Sequence, residues 1–298
     1  MNSNEQLLGR IFIVGCGDIG RRVARLAQQR QLPVAGLVRS EQGACELMAL
    51  GVEPCLGHLD QPASLRLPDL GGGSVFYFAP PPGGGFSEMR VRNFLAALAP
   101  GNLPARLVYL STSGVYGDSG DVAVDESRPA QPLTARARRR FDAEETLRAW
   151  GAQHGVTLVT LRIANIYGPG RLPVVHLQNG HPLLVESQSK PTSRVHSEDL
   201  ARICLAAAEK GRPGAVFNVC DDEPCSATAY FTAVAELLGI PCPPQIPLEE
   251  ARRLMKPLLF SYFIESRIMN NKKIMNDLGV ELQFPRLRDG LPASLSAG

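Results

Sequence analysis

The sequence contains no run of eighteen apolar residues, no block of five like charges, no Cys-x-x-Cys pair and no internal repeat. Each absence removes a class of protein. Without a long apolar run there is no candidate transmembrane helix. A formal net charge of +2, with its densest basic cluster at Arg136, Arg138, Arg139 and Arg140, demands neither nucleic acid nor an acidic membrane surface. The seven cysteines are odd in number, unpaired in spacing and partly embedded in apolar segments. They read as buried free thiols in a reducing compartment rather than disulfides or a zinc site, and no metal is expected. Met1 to Arg10 is polar and lacks the apolar stretch of a signal peptide, so a cytoplasmic protein is expected.

What is present is ordinary globular material. Hydrophobic residues make up 44% and charged residues 20% of 298 positions, enough for a sizeable core and for about two domains, or one large domain with an appendage. The first half alternates short apolar runs with helical stretches. Ile11 to Val14, Pro33 to Val38, Val52 to Leu56, Ser74 to Phe78, Leu107 to Leu110 and Val156 to Leu161 read as strands. Ile19 to Arg30, Glu41 to Leu50, Glu88 to Leu98 and about Arg136 to His154 read as helices between them. Continuous apolar strands separated by helices predict an α/β fold, a doubly wound parallel sheet buried on both faces. After Leu161 the texture becomes Gly- and Pro-rich, with helices at Glu198 to Lys210 and Ala227 to Leu238 and a strand at Ala215 to Val219. This predicts a nucleotide-binding domain over 1–165 and about 194–222. A smaller substrate domain would take about 166–193 and 223–298.

Gly15-Cys16-Gly17-Asp18-Ile19-Gly20 is a G-x-G-x-x-G turn that follows a predicted strand and opens a helix. In that context Gly15 permits the tight turn, Gly17 admits a pyrophosphate against the backbone, and Gly20 lets helix and strand pack closely. The backbone of Asp18 and Ile19 would then offer N–H groups at the helix start. The second strand ends in Val38-Arg39-Ser40 rather than an acidic residue. Arg39 with Ser40 suits a 2′-phosphate, which favours NADP(H); Glu41 nearby leaves NAD(H) open, and a solvated Arg39 is the plainer alternative.

With these residues in view, the chain resembles the extended short-chain dehydrogenase/reductases, the NAD-dependent epimerase/dehydratase family. Ser111-Thr112-Ser113-Gly114-Val115-Tyr116-Gly117 is similar to that family's S-T-S-x-V-Y-G segment. Leu161 to Gly170 is similar to its L-R-x-x-N-V-Y-G-P-G segment, and Arg194 to Ala201 and Phe217-Asn218-Val219 match further stretches in order. The resemblance implies a Rossmann-type fold. It implies that Thr112 bonds the substrate oxygen at the reacting carbon with Ser113 beside it, and that Asn165 faces the substrate. Tyr167, Gly168 and Pro169 would lie along the nicotinamide, the Ala79-Pro80-Pro81 loop beside the ribose, and the backbone of Leu59 beside the adenine. For Thr112, a hydroxyl that only bonds its own turn remains the alternative.

The family's Y-x-x-x-K motif is missing; no tyrosine in the chain precedes a lysine by four. Aligning Glu126, Pro129 and Pro132 with the usual lead-in puts Arg136 at the tyrosine position, Arg140 at the lysine position and Glu144 at a following glutamate. Arginine stays protonated and cannot serve as the base. Arg140 either binds the ribose as lysine does or faces solvent. Tyr116 and Tyr167 are the remaining tyrosines in the right loops, and His196 carries an imidazole, although a packing role suits it better. The match is therefore nearest to an atypical branch that keeps the cofactor fold. Arg162, Arg171 and Arg194 lie near the substrate path and are candidates for an anionic group. Pro257 to Ile264 reads as a pocket lining, a homodimer contact or plain core.

Two functions of different class follow. One is an NAD(P)-dependent oxidoreductase or epimerase-like enzyme with a non-standard acid/base, acting on a hydroxyl or carbonyl of a small molecule. The other is a dinucleotide-binding sensor without turnover. The retained Thr112 and G-P-G loop favour the enzyme.

Overall fold

The computed structural model describes residues 8–120 and 122–295. Most of the polar start, residues 1–7, lies outside them. The first half runs β1 (Ile11–Val14), α1 (Asp18–Gln29), β2 (Val34–Val38), α2 (Glu41–Ala49), β3 (Glu53–Leu56), β4 (Ser74–Tyr77), α3 (Met89–Ala96), β5 (Arg106–Thr112), α4 (Ala135–His154) and β6 (Thr157–Ile163). It continues through β7 (Asn165–Tyr167), α5 (Val174–Gln178), β8 (Leu183–Leu184), β9 (Pro191–Thr192), β10 (Arg194–His196), α6 (Ser197–Lys210) and β11 (Ala215–Val219). The chain ends with β12 (Cys225–Ser226), α7 (Ala227–Leu238), β13 (Gln245–Ile246), α8 (Leu248–Leu254), α9 (Pro257–Ile264), α10 (Lys272–Leu278) and α11 (Leu287–Ala293).

Seven strands form one sheet in the order β3-β2-β1-β4-β5-β6-β11, and every neighbouring pair is parallel. This is the doubly wound α/β arrangement expected from the sequence. Its cause is visible in β1, where all four residues are buried. Ile11 and Ile13 enter the core on one face, and Phe12 and Val14 the core on the other. Side chains alternate between faces with period two, so an unbroken apolar strand requires cover on both sides. Each such fully buried side chain contributes roughly 1.5–3 kcal/mol. Strand order reverses between β1 and β4, which opens a crevice at the strands' carboxyl ends.

β5 and β6 run further than their apolar cores suggest, to Thr112 and Ile163. The added residues include Ser111 and Arg162, polar yet buried, because both bond Glu144 of α4. Hydrophobic pattern alone under-reads a strand whose last turns are held by charge. Beyond β6, short strands pair as β7 with β10, β9 with β12 and β8 with β13. Separate apolar clusters form there, one around Tyr167, Tyr230, Val234 and Leu291, another around Leu183, Leu184, Ala251 and Phe263.

All seven cysteines are free, but they are not uniformly buried. Cys16, Cys204 and Cys220 are; Cys45 and Cys242 are exposed, because each falls on the outer side of its segment. Among the described residues no helix is long and apolar enough to cross a membrane, and no His/Cys/Asp/Glu group is arranged to hold a metal.

Candidate active site

The G-x-G-x-x-G turn joins β1 to α1 at the crevice, and its three glycines are needed for three different reasons. Gly15 has φ +94°, and a Cβ there would lie 2.5 Å from the Ala79 nitrogen. Backbone meets backbone at that point, where Phe78 and Ala79 both donate to the Val14 carbonyl, at 2.8 and 2.9 Å. Gly20 would place a Cβ 3.0 Å from the Gly15 carbonyl oxygen and 3.1 Å from Ile13 Cγ2, so α1 could not sit this close to β1 with a larger residue. Gly17 has nothing within 4 Å of its Cβ position: it faces open space. It is also the N-cap of α1 and supplies no side-chain cap, so the first N–H groups of the helix stay available. A turn closed by Gly15 and Gly20 and left open at Gly17 fits a dinucleotide diphosphate. Ile19 is buried beneath it in the core. The Asp18 carboxylate accepts from Arg22 Nε at 2.8 Å and from Arg171 Nε.

At the end of β2, Arg39 is exposed and makes no hydrogen bond or ion pair among the described residues. The Ser40 hydroxyl accepts from Gly43 N at 3.2 Å and caps α2. Asp60 is clasped by Arg90 at 2.8 and 2.7 Å, and that hydrogen bond, with help from Arg39, holds its carboxyl below the usual range. Arg90 also reaches the Pro80 carbonyl at 2.9 Å, bracing the Ala79-Pro80-Pro81 loop. The Leu59 carbonyl accepts from Asn93 at 2.7 Å, and the His58 ring accepts from Asp60 N at 3.1 Å.

A cleft of about 610 Å³ opens along the carboxyl ends of β5 and β6. Its walls include Thr112, Arg136, Arg140, Asn165, Arg171 and Arg194 from the sequence reading. Thr112 Oγ1 accepts from Gly114 N at 3.2 Å, the turn bond foreseen as its alternative role, yet the hydroxyl keeps its own proton to donate. Arg140 does not face solvent. Its Nη1 donates to the Leu110 carbonyl at 2.9 Å and, at longer range, to the Ala79 carbonyl (3.4 Å) and the Tyr109 hydroxyl (3.3 Å), so it ties the ends of β4 and β5 together. Arg136 is exposed, and no hydrogen bond engages it among the described residues. Asn165 donates to Thr192 Oγ1 at 3.4 Å. Arg194 is buried, donates to the Cys225 carbonyl at 2.8 Å and lies over the Tyr230 ring at 4.5 Å.

Other candidates sit off the cleft. Ser113 is buried. The Tyr116 hydroxyl donates to Asn218 Oδ1 at 2.7 Å, and burial pushes its pKa up. Tyr167 is buried edge-on to His196, its hydroxyl unpartnered above Gly290, while Pro169 next door gives its carbonyl to Arg22 at 3.1 Å. His196 is a packed residue: Nδ1 accepts from Glu198 N at 3.3 Å, the Phe284 ring packs tilted against it at 4.1 Å between centroids, and burial lowers its pKa to about 4. Arg162 does not reach the cleft either. It grips Glu144 through Nη2 at 2.8 Å and Nε at 3.2 Å, and it packs over the Tyr116 ring.

The sequence left Pro257 to Ile264 open between pocket lining, homodimer contact and core, and part of it lines the cleft; Glu265 and Arg267 were not foreseen there. Leu259, Ser261 and Tyr262 of α9, followed by Glu265 and Arg267, line the same cleft as Thr112. Arg267 pairs with Glu265, and burial lowers its pKa. The apolar run Pro257 to Ile264 was the only signal, and it does not distinguish a pocket wall from core.

A parallel sheet with an open glycine cradle at its crevice defines a dinucleotide-binding Rossmann protein. Residues 89–220 match the model of the NAD dependent epimerase/dehydratase family. That match spans under half of the chain, which also has homologues among reductases and dehydratases. Over 264 residues it is 28% identical to a 4-hydroxy-2-methyl-3-oxo-4-farnesyl-3,4-dihydroquinoline-1-oxide ketoreductase from Stigmatella aurantiaca, covering 82% of this chain and 78% of that protein. It is 29% identical over 122 residues to a dTDP-D-glucose 4,6-dehydratase from Homo sapiens, covering 38% of this chain and 35% of that one. The structure superposes with a TM-score of 0.81 on a conserved protein of unknown function from Silicibacter pomeroyi DSS, at 32% identity over 96% of this chain and 97% of the other. Relatives named as ketoreductases and dehydratases place the chain among enzymes.

Proposed function

We propose that this chain is an NADP(H)-preferring reductase acting on a carbonyl or hydroxyl group of a small molecule bound in the cleft beside Thr112. The observation that carries the reading is the three-glycine cradle, closed at Gly15 and Gly20 and open at Gly17, with the cleft at the same strand edge. Reduction is favoured over sugar dehydration because the ketoreductase match extends across most of both proteins, whereas the dehydratase match covers about a third of that protein.

In this reading residues 166–193 and 223–298 supply the substrate side of the cleft, with α9 as part of its wall. Gly17, the helix start at Asp18 and Ile19, and the Arg140-braced ends of β4 and β5 hold the dinucleotide. Arg39, free at the end of β2, meets the 2′-phosphate beside the N-terminus of α2. The bound cofactor supplies hydride. The chain's own task is to polarise the substrate oxygen and handle one proton. Arg136 and Arg267 lower the energy of negative charge developing on that oxygen, and they act as donors rather than bases. Thr112 donates a hydrogen bond to it, and of the two tyrosines on the cleft wall the exposed Tyr262, rather than Tyr230 buried under Arg194, passes the proton. Tyr116 cannot do so without giving up Asn218.

The test is a titration of purified protein with NADPH and with NADH, followed by nicotinamide fluorescence and repeated with Arg39→Asp. The reading expects NADPH to bind more tightly than NADH. Arg39→Asp should weaken NADPH about 10- to 100-fold, the range for losing one charge-assisted contact, and NADH far less. Absence of binding by either nucleotide would overturn the assignment. Equal loss for both would overturn the NADP preference alone.

A further inference from the structure

Five charged residues between the glycine cradle and the cleft form a continuous chain. Asp18 accepts from Arg22 Nε at 2.8 Å and from Arg171 Nε. Arg22 in turn pairs with Glu198 and reaches the Pro169 carbonyl at 3.1 Å, and Arg25 pairs with Glu198 at 2.7 Å. Two carboxylates face three guanidiniums. Arg22 and Arg25 balance Asp18 and Glu198, so Arg171 brings the surplus positive charge.

The two partners of the Asp18–Arg171 pair are not equivalent. Asp18 is fixed in the first turn of α1, directly after Gly17, where the helix dipole favours an anion. Arg171 comes from a short turn closed by its own N–H on the Gly168 carbonyl at 3.0 Å, and it follows Gly170 at φ +75° with open space around it. Its side chain is about a third exposed. It is also a residue of the cleft wall. Arg171 therefore joins the cradle to the cleft, and among the residues of the pair it is the one free to move.

We propose that Arg171 is a ligand of the dinucleotide's diphosphate and that Asp18 is its stand-in partner, surrendering the guanidinium when the diphosphate arrives. The proposal rests on the dinucleotide reading above. A diphosphate offers a guanidinium more oxygens and more charge than one carboxylate, so the exchange runs toward the ligand. Asp18 is left beside a second anion, with Arg22 alone to offset it. The consequence is a difference in sign. Removing the arginine takes away a ligand contact, whereas removing the carboxylate takes away both a competitor and a repulsion.

The experiment is an NADPH titration by nicotinamide fluorescence on the full chain, with thermal unfolding run alongside. Arg171→Ala is expected to weaken NADPH about tenfold, as for loss of one charge-assisted bond. Asp18→Asn is expected to tighten it several-fold; Asp18→Ser, a residue that also suits a helix start, replaces it should the asparagine variant unfold. If wild type binds neither NADPH nor NADH, the dinucleotide reading falls and this proposal with it. If wild type binds and both variants match it, the exchange is wrong and the dinucleotide reading stands. If both variants weaken binding together, the pair survives in the bound state as a closing strap, and the exchange is equally overturned.

Discussion

The cradle and the cleft share one strand edge but are specified by different physics. At the cradle the requirement is steric: Gly15 touches the Ala79 backbone, Gly20 touches β1, and Gly17 borders a space. Gly15 and Gly20 leave little room for any other residue type, while Gly17 keeps the space between them clear, so a shape that accepts a diphosphate is written in three letters of sequence. At the cleft the requirement is chemical, and chemistry has substitutes. A proton can be handled by any group of suitable acidity at suitable distance. This chain has placed Arg136 and Arg140 where the resemblance expects tyrosine and lysine, and it lines the same cleft with Tyr262 and Arg267. Cofactor sites persist under substitution because packing is unforgiving; acid–base sites drift because several side chains can do the work.

The largest effect should come from filling the cradle. Gly15→Val forces a β-branched residue to φ +94°, costing about 1–3 kcal/mol, and drives its Cβ into the Ala79 backbone. Together these should remove about 3–5 kcal/mol of stability and all dinucleotide binding, read by denaturant unfolding and NADPH titration. Gly17→Val is the contrast. Its side chain enters open space, so stability should stay within about 1 kcal/mol of wild type while NADPH binding is lost. A Gly17→Val protein that binds NADPH normally would break the comparison, since the open space would not be the ligand's.

A middle-sized effect lies just past β11, where a carboxyl group is buried without a partner among the described residues. Asp221 follows β11; its backbone N–H donates to the Arg194 carbonyl at 2.6 Å, yet both carboxyl oxygens are buried and unbonded. Burial raises its pKa to about 8, against the pull of Arg194. The unfolded chain releases this proton near the ordinary value of 3.8, so between those limits the folded state holds a proton that the unfolded state has lost. Stability therefore declines as pH rises from about 4 toward 8. Asp221→Asn should raise stability by about 1–3 kcal/mol at pH 8, and the gain should fade toward pH 4. Thermal unfolding of both proteins across that range reads the difference, which cancels the opposite slope from His196. A gain independent of pH would show that the benefit is packing rather than charge.

Legibility in the sequence followed the same division. The doubly wound sheet was readable because β1, β4, β5 and β6 place apolar residues on both faces, a pattern with one stable solution. The cradle was readable because a glycine triplet between strand and helix has few other uses. The ends of β5 and β6 were not, since Ser111 and Arg162 are buried by way of Glu144, a partner thirty-three and eighteen residues away. Nor was the bond of Arg171 to Asp18, which it makes besides lining the cleft, because ion pairs between distant loops leave no local period. The wall built by α9 was left open for a related reason: Tyr262 and Leu259 look the same in sequence whether they fill a core or face a cleft.

The smallest effect is the most informative about the cleft. Arg136, where the resemblance expects the family's tyrosine, lies in the first turn of α4, exposed and without a hydrogen bond among the described residues. A cation in the first turn of a helix is mildly unfavourable, so its removal relieves as much as it disturbs. Arg136→Tyr should change stability by no more than about 0.5 kcal/mol and leave NADPH affinity unaltered. Arg140→Lys, one turn further on, loses the Nη1 group that joins the Leu110 and Ala79 carbonyls and should cost about 1 kcal/mol. The pair thus separates a residue kept for what enters the cleft from one kept for the ends of β4 and β5. Should Arg136→Tyr weaken NADPH instead, Arg136 would belong with the cradle, and the boundary between a sterically fixed cofactor end and a chemically free substrate end would have to move past α4.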